Sequence, residues 1–76
     1  MSYQNITGER IKVARKAKNW DQEQLAVALD LEAGLSLGQS DISEIERQFR
    51  GVKDYELEAI ARALDVSPTW LLRGGD

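Results

Sequence analysis

The chain of 76 residues contains no cysteine and no histidine. The lack of thiol and imidazole groups excludes disulfide staples, Cys/His nucleophilic catalysis and metal sites built from those ligands. With one proline and six glycines, the composition is that of a folded domain rather than a disordered tail. No apolar run approaches the about 20 residues of a membrane-spanning helix, and no signal peptide is visible. We expect one small soluble domain in the cytoplasm, with no metal, no cofactor and no enzymatic activity.

The net charge of −3 conceals a strongly uneven distribution of charge along the chain. Residues 1–20 carry five bases and one acid, whereas residues 21–46 carry seven acids and no base. Residues 47–53 are basic again, and the remainder is acidic. Because local patches govern the encounter with a polyanion more than net charge does, two basic blocks could together form a binding surface. Solvated helix faces explain the same pattern equally well on charge alone.

Short amphipathic helices are the regular signal in this sequence, and the first two have clear ends. The first is predicted to run from Thr7, its expected N-cap, to Lys18. Asp21 is expected to cap the second helix, because Gln24 three residues later completes a capping-box pattern. Gly34 is a natural left-handed stop for that helix.

The third predicted helix extends from Gln39 to Gln48 or Phe49. Its inner stripe is Ile42, Ile45 and Phe49, spaced i, i+3 and i+7. We expect Phe49 to be buried in the core with this stripe, as we also expect of the aromatic side chain before the second helix, Trp20.

Two further helices complete the predicted architecture. Asp54 is the expected cap of a fourth helix, and its acids Asp54, Glu56 and Glu58 are interpreted as helix-surface charges. Ser67-Pro68 predicts a short fifth helix, with an N-cap followed by proline at the first helical position, which ends at Gly74-Gly75. No alternating strand pattern and no internal repeat appear. The sequence therefore predicts an all-α, compact five-helix bundle that forms one domain over residues 1–76.

Four sequence fragments, in this order, carry a resemblance to a known family. They are Gly8-Glu9-Arg10-Ile11, Asp21-Gln22-Glu23-Gln24-Leu25-Ala26, Ser40-Asp41-Ile42-Ser43-Glu44-Ile45-Glu46 and Ile60-Ala61-Arg62-Ala63-Leu64-Asp65-Val66-Ser67. Over about residues 8–73 the chain resembles the Xre-like helix-turn-helix family of Cro and the phage repressors. The resemblance implies a lambda-repressor-like fold and sequence-specific regulation of transcription. It also implies a double-stranded DNA operator, with the third helix in the major groove, as the partner.

The resemblance further implies roles for individual residues. The base-facing positions of the third helix are Gln39, Ser40, Ser43 and Glu44. Gln22, at the start of the second helix, matches a glutamine placed against the DNA backbone and neighbouring bases. Arg15 and Glu46 match a salt bridge that joins the first helix to the third.

Three bases that follow the third helix, Arg47, Arg50 and Lys53, lie where a DNA backbone strand would pass. At about 100° per residue, Arg47 also points away from the inner stripe of the helix. We interpret these three bases as phosphate contacts. The alternative is exposed charge that serves only solubility.

The chain departs from the family pattern in two places. The segment before the third helix is long, which predicts an elongated turn over residues 30–38, and Gly38 occupies a position where Ser or Thr usually caps. The third helix also carries three acids, Asp41, Glu44 and Glu46, and acids facing phosphates are unfavourable. An alternative function is therefore a protein-interaction or antitoxin-like module with weak or no DNA binding.

The end of the chain supplies the expected dimer contact. Trp70, Leu71 and Leu72 offer more apolar surface than a short terminal helix needs to cap a core. Because such DNA-binding proteins gain affinity by occupying two half-sites as symmetric dimers, we predict a homodimer through the fifth helix.

Overall fold

The computed structural model describes residues 3–74, and their side chains from Ile6 onward. These residues form five helices and no strand: α1 (Tyr3–Ala17), α2 (Gln22–Ala33), α3 (Gln39–Glu46), α4 (Asp54–Leu64) and α5 (Pro68–Arg73). The predicted all-α, five-helix architecture is confirmed.

The helix ends that were predicted from local sequence signals are present. Gln24 and Asp21 form both hydrogen bonds of the capping box, each at 2.8 Å. Gly34 ends α2 in the left-handed region at φ 64°. Ser67 accepts a hydrogen bond from the backbone N–H of Trp70 at the start of α5. These three signals act within about four residues, so they do not depend on the rest of the fold.

The starts of α1 and α4 differ from the prediction. Thr7 does not cap α1, because the helix begins at Tyr3 and Thr7 is buried inside it. The N-cap of α4 is Lys53 rather than Asp54, which is the first helical residue. The backbone N–H of Lys53 donates to the Glu56 carboxylate, which takes over the capping. Gly74 ends α5 at φ 77°, and Gly75 lies outside the described residues.

The third helix is shorter than predicted, and this changes the position of Phe49. The helix ends at Glu46, and Gln48 adopts a left-handed φ of 68° that turns the chain. The i+7 spacing that placed Phe49 in the core requires a continuous helix. Its side chain is instead 72% exposed, so the prediction that Phe49 is a core residue is wrong.

The core lies between all five helices. The fully buried large side chains are Ile11, Leu25, Leu29, Ile42, Ile45, Ile60 and Leu71. α2 packs on α4, α1 packs on α5, and both α1 and α2 contact α3. The short α3 therefore packs against two longer helices, α1 and α2.

The long connection before α3 is partly helical. Residues 30–33 extend α2 by a further turn, so the elongated turn comprises residues 34–38 rather than 30–38. Leu35 and Leu37 in this segment are half-buried against the core. The extra residues are thus held against the domain.

The predicted dimer contact at α5 conflicts with the burial of its residues. Leu71 has no exposed surface, and Leu72 and Trp70 are half-buried against the core. The Arg10 guanidinium covers the Trp70 ring at 5.5 Å from its centroid. Because α5 is only six residues long and packs on α1 and α4, it uses its apolar side chains to close the core. Leu71 is therefore not a dimer contact.

Candidate nucleic-acid interface

The outer face of α3 carries polar side chains that the resemblance assigns to base contacts. Gln39, Ser40 and Glu44 are exposed and Ser43 is half-buried. Ile42 and Ile45 point the opposite way and are each 1% exposed. The helix therefore presents short hydroxyl, amide and carboxylate groups on one side, of the kind that reach base edges in a major groove.

A buried ion pair fixes α3 to α1. Arg15 Nε lies 2.7 Å from Glu46 Oε2, and Arg15 Nη2 lies 3.0 Å from Oε1. Arg15 Nη1 also donates to the carbonyl oxygen of Trp20 at 2.7 Å. The hydrogen bond to Glu46 raises the pKa of Arg15 above its ordinary value. The structure thus contains the Arg15–Glu46 pair that the resemblance implies, with side chains 8% and 2% exposed.

Gln22 extends this ion pair to the surface. Its Nε2 donates to Glu46 Oε1 at 3.1 Å, and its Oε1 accepts from Gln39 Nε2 at 3.4 Å. The first residue of α2 is therefore bonded both to the last residue of α3 and to the first. This places Gln22 as a positioning residue for α3, and its predicted contact with the DNA backbone stays a prediction.

The acids of α3 are in three different environments. Glu46 is buried against Arg15, and half-buried Asp41 accepts the backbone N–H of Gly38 at 3.0 Å. Asp41 therefore satisfies the backbone N–H of the N-cap residue, whereas Gly38 offers no side-chain oxygen to the N–H groups of the first helical turn. Glu44 is the exposed carboxylate of this helix. The surface of α3 is consequently much less acidic than its sequence.

Two of the three bases that follow α3 are exposed cations. The Arg47 guanidinium lies 4.7 Å from the centre of the Phe49 ring, and the Lys53 ammonium lies 6.0 Å from the Tyr55 ring. Both positions suit phosphate contacts beside α3, because neither charge is buried in the core.

The third base, Arg50, has a different environment from the one predicted. Its guanidinium makes two hydrogen bonds to the Glu56 carboxylate, at 3.1 and 3.2 Å, and a third to the carbonyl oxygen of Gly51 at 2.9 Å. The Glu56 side chain is only 5% exposed. Arg50 therefore joins the α3–α4 loop to α4, and its predicted contact with a DNA phosphate stays a prediction.

Glu56 is the partner that sequence reasoning missed, since it was interpreted as a helix-surface acid. Burial by itself raises the pKa of Glu56. The hydrogen bonds from Arg50 and from the Lys53 N–H, together with the positive charges of these two residues, outweigh burial and hold the pKa below its usual value. The available signal was its position three residues after the N-cap, where a glutamate can close a capping box.

We expect the Arg50–Glu56 pair to make the stability of the domain pH-dependent. Because the pKa of Glu56 is lower in the folded than in the unfolded state, its contribution is complete above about pH 4.3 and is lost as the pH falls further. Glu56→Gln should lower the free energy of unfolding by about 1–3 kcal/mol near neutral pH, since it weakens buried hydrogen bonds. Urea unfolding should show that the gap to wild type narrows towards about pH 3. A constant gap would contradict this role of Glu56.

Gly8 is a second residue whose role only the structure reveals. A Cβ atom added at Gly8 would lie far inside contact distance of the Ile45 carbonyl oxygen, and 3.3 Å from that of Glu46. The backbone of α1 therefore runs directly against the last turn of α3. Gly8 belongs to the family fragment quoted above, but no local pattern reveals which backbone it approaches.

A metal site and a membrane-spanning helix are both absent from the part of the chain that the structure describes. No group of acidic side chains in residues 3–74 has the arrangement that a metal ion requires. Within the same part of the chain, no helix has both the length and the apolar character needed to cross a membrane.

Comparison with known proteins agrees with this fold. The profile of the helix-turn-helix domain family matches residues 8–76. The crystal structure of the P22 c2 repressor protein in complex with synthetic operator 9T is similar to this chain, with a TM-score of 0.72 and 34% sequence identity. The match covers 92% of this chain and 97% of the repressor chain. No curated protein matches. The chain belongs to the helix-turn-helix family, and within it to the phage-repressor type.

Proposed function

We propose that this protein is a sequence-specific, double-stranded DNA-binding regulator of transcription that places α3 in the major groove. The observation that carries the proposal is the polar outer face of α3, which is bonded to α1 and α2 through Glu46 and Gln22 and flanked by exposed Arg47 and Lys53. The similarity to a repressor solved with its operator supports the same function. Such a regulator acts in the cytoplasm and performs no catalysis.

Different residues have different tasks in this proposal. Gln39, Ser40 and Ser43 offer hydrogen bonds to base edges, and exposed Glu44 can accept one from a cytosine amino group. Arg47 and Lys53 contact phosphates, which fixes the register of the helix without reading sequence.

A symmetric homodimer on two half-sites about 34 Å apart remains part of the proposal. Its contact surface excludes Leu71, which is fully buried. Trp70 and Leu72 can contribute only their exposed edges, so α5 is a smaller contact than its sequence indicated.

The competing protein-interaction or antitoxin-like function rested on the acidity of α3. That argument is weakened because Glu46 is paired with Arg15 and Asp41 is bonded at the helix start. Of the three carboxylates, Glu44 alone faces solvent fully. One exposed acid beside Arg47 is compatible with groove entry.

Selection of bound sequences from random duplex DNA tests the proposed function. We expect a defined preferred sequence, with symmetric half-sites if the protein binds as a dimer, and affinity that falls steeply with salt. If the folded protein shows no duplex binding at about 50 mM salt and no sequence preference emerges, the proposal is wrong and the protein-interaction function is favoured.

Substitutions at Arg47 and Glu44 should distinguish a phosphate contact, which positions the protein on DNA, from a base contact, which recognises the sequence. Arg47→Ala should weaken binding to all sequences about equally and reduce the salt slope by about one unit. Glu44→Gln should strengthen binding to random DNA, because it removes repulsion from phosphates, and should reduce discrimination by about 1–3 kcal/mol at a contacted cytosine. Binding titrations on the selected and a scrambled duplex measure both effects.

Arg62→Ala is the matched control for Arg47→Ala, because it removes another exposed positive charge, on α4. It should change the affinity and the salt slope much less. Equal effects of the two variants would show that net charge alone, rather than a phosphate contact at Arg47, determines binding.

A further inference from the structure

The outward face of α2 carries an apolar groove that the domain itself leaves uncovered. Val27 and Leu31, one helical turn apart, are 54% and 78% exposed, and with Trp20 and Ala28 they line a single groove. The core-facing residues of the same helix, Leu25 and Leu29, are fully buried. Exposed aliphatic side chains in such a row are typical of an interaction site.

The surroundings of this groove are acidic. Asp21 and Glu23 line it, and Asp30 and Glu32 are exposed on the same helix. Residues 21–46 contain no base at all. A surface that fits this groove therefore combines aliphatic side chains with positive charge.

The outward face of α1 has this combination. Val13 is 58% exposed and lies in a shallow groove with Ile6, Arg10 and Lys12. Lys16, in the last turn of α1, is also exposed. Glu9 is the acid in this groove, against two bases. The α1 face and the α2 face share no lining residue.

We propose that copies of this chain associate head to tail, with the α1 face of one copy (around Val13) against the α2 face of the next (around Val27 and Leu31). Charge and apolar character are complementary between the two faces, and every copy carries both. Because the two faces differ, the contact is heterologous and can extend from copy to copy, unlike a symmetric dimer contact. It would let copies on adjacent DNA sites bind cooperatively. The contact itself does not require DNA.

Sedimentation of the full chain without DNA tests this association. The average mass of wild type should rise with concentration beyond that of a dimer at about 50 mM salt, and should fall at about 500 mM salt because the charges are screened. Val13→Asp and Leu31→Asp should each raise the concentration needed for association at least about tenfold, since each places a carboxylate in an apolar contact. Both positions are exposed, so the fold should tolerate them.

Mixing the two variants provides the decisive measurement. Val13→Asp retains an intact α2 face and Leu31→Asp an intact α1 face, so the mixture should regain mass that neither variant shows alone. Tyr55→Asp, at an equally exposed residue of α4, is the control and should associate as wild type does.

Three results would overturn the proposal. The first is an average mass that is the same for wild type and both variants at every concentration. The second is loss of association in Leu31→Asp without recovery on mixing, which would mean that the α2 face contacts another surface. The third is duplex binding that depends on Lys12 and Lys16 while the mass does not, which would assign the α1 cations to DNA. Because the mass is measured without DNA, this test does not depend on the proposed DNA binding. Failure of either proposal can therefore be distinguished from failure of the other.

Discussion

Arg15→Met is expected to lower the free energy of unfolding by about 3–5 kcal/mol, because it leaves the buried Glu46 carboxylate without its cation. Glu46 loses both hydrogen bonds from Arg15, and the Trp20 carbonyl oxygen loses a third. A domain with a total stability of about 5–15 kcal/mol has little reserve against such a loss. Urea unfolding followed by circular dichroism measures the change.

The double variant Arg15→Met/Glu46→Leu should recover part of this loss. Replacing both charges with apolar side chains removes the cost of a stranded carboxylate, and such replacements are often neutral. The recovery should be incomplete, because Gln22 and the Trp20 carbonyl oxygen still lose a partner. Lys16→Met, at the exposed neighbour of Arg15, is the control and should change stability little. A single variant that unfolds at the wild-type urea midpoint would contradict the importance of the pair.

Gly8→Ala should destabilise the domain although alanine is the better helix former. The added Cβ would overlap the Ile45 carbonyl oxygen and also meet Gln48 Cγ at 3.3 Å. A backbone carbonyl cannot rotate away, so α1 and α3 must separate, and overpacking of this kind costs about 1–3 kcal/mol. Helix propensity alone predicts the opposite sign, a gain of about 1 kcal/mol. The sign of the change in unfolding free energy therefore shows whether overpacking or helix propensity dominates.

Gly38→Ser is the matched control for Gly8→Ala, because it also adds a Cβ to a glycine next to α3. The nearest atom to that Cβ is Asp41 Oδ2 at 3.8 Å, and the backbone φ of −84° suits any residue. A serine there supplies the side-chain oxygen that an N-cap needs. The free energy of unfolding should therefore stay unchanged or rise by roughly a few tenths of a kcal/mol. If Gly8→Ala raises the free energy of unfolding, the backbone of α1 does not approach α3 as closely as in this structure. A displaced α3 should also weaken DNA binding in Gly8→Ala.

Sequence reasoning succeeded where a structural decision is made within a few residues. The capping box of Asp21 and Gln24, the left-handed stop at Gly34 and the N-cap at Ser67 depend on atoms no more than about four residues away. Helical periodicity also placed Ile42 and Ile45 in the core. The order of these signals predicted an all-α domain of five helices, whereas the family was indicated by the resemblance of particular fragments rather than by caps or periodicity.

Local patterns failed at α3 and the loop after it. Extending the helical period past Glu46 placed Phe49 in the core, whereas the left-handed residue Gln48 turns the chain and leaves Phe49 exposed. Local patterns also did not reveal the partner of Arg50, because Glu56 comes close to it only when the loop folds back on α4.

By itself, the sequence determined the number, type and most ends of the helices, since caps and hydrophobic spacing are local properties of the chain. The tertiary structure alone decided which charged groups are buried and which reach solvent. It turned Arg50 inward to Glu56, placed the Glu46 carboxylate behind α3, and left Glu44 and Arg47 on the surface. The physical reason is that burial of a charge depends on a partner brought close by folding, as Arg15 is to Glu46 across 31 residues of sequence.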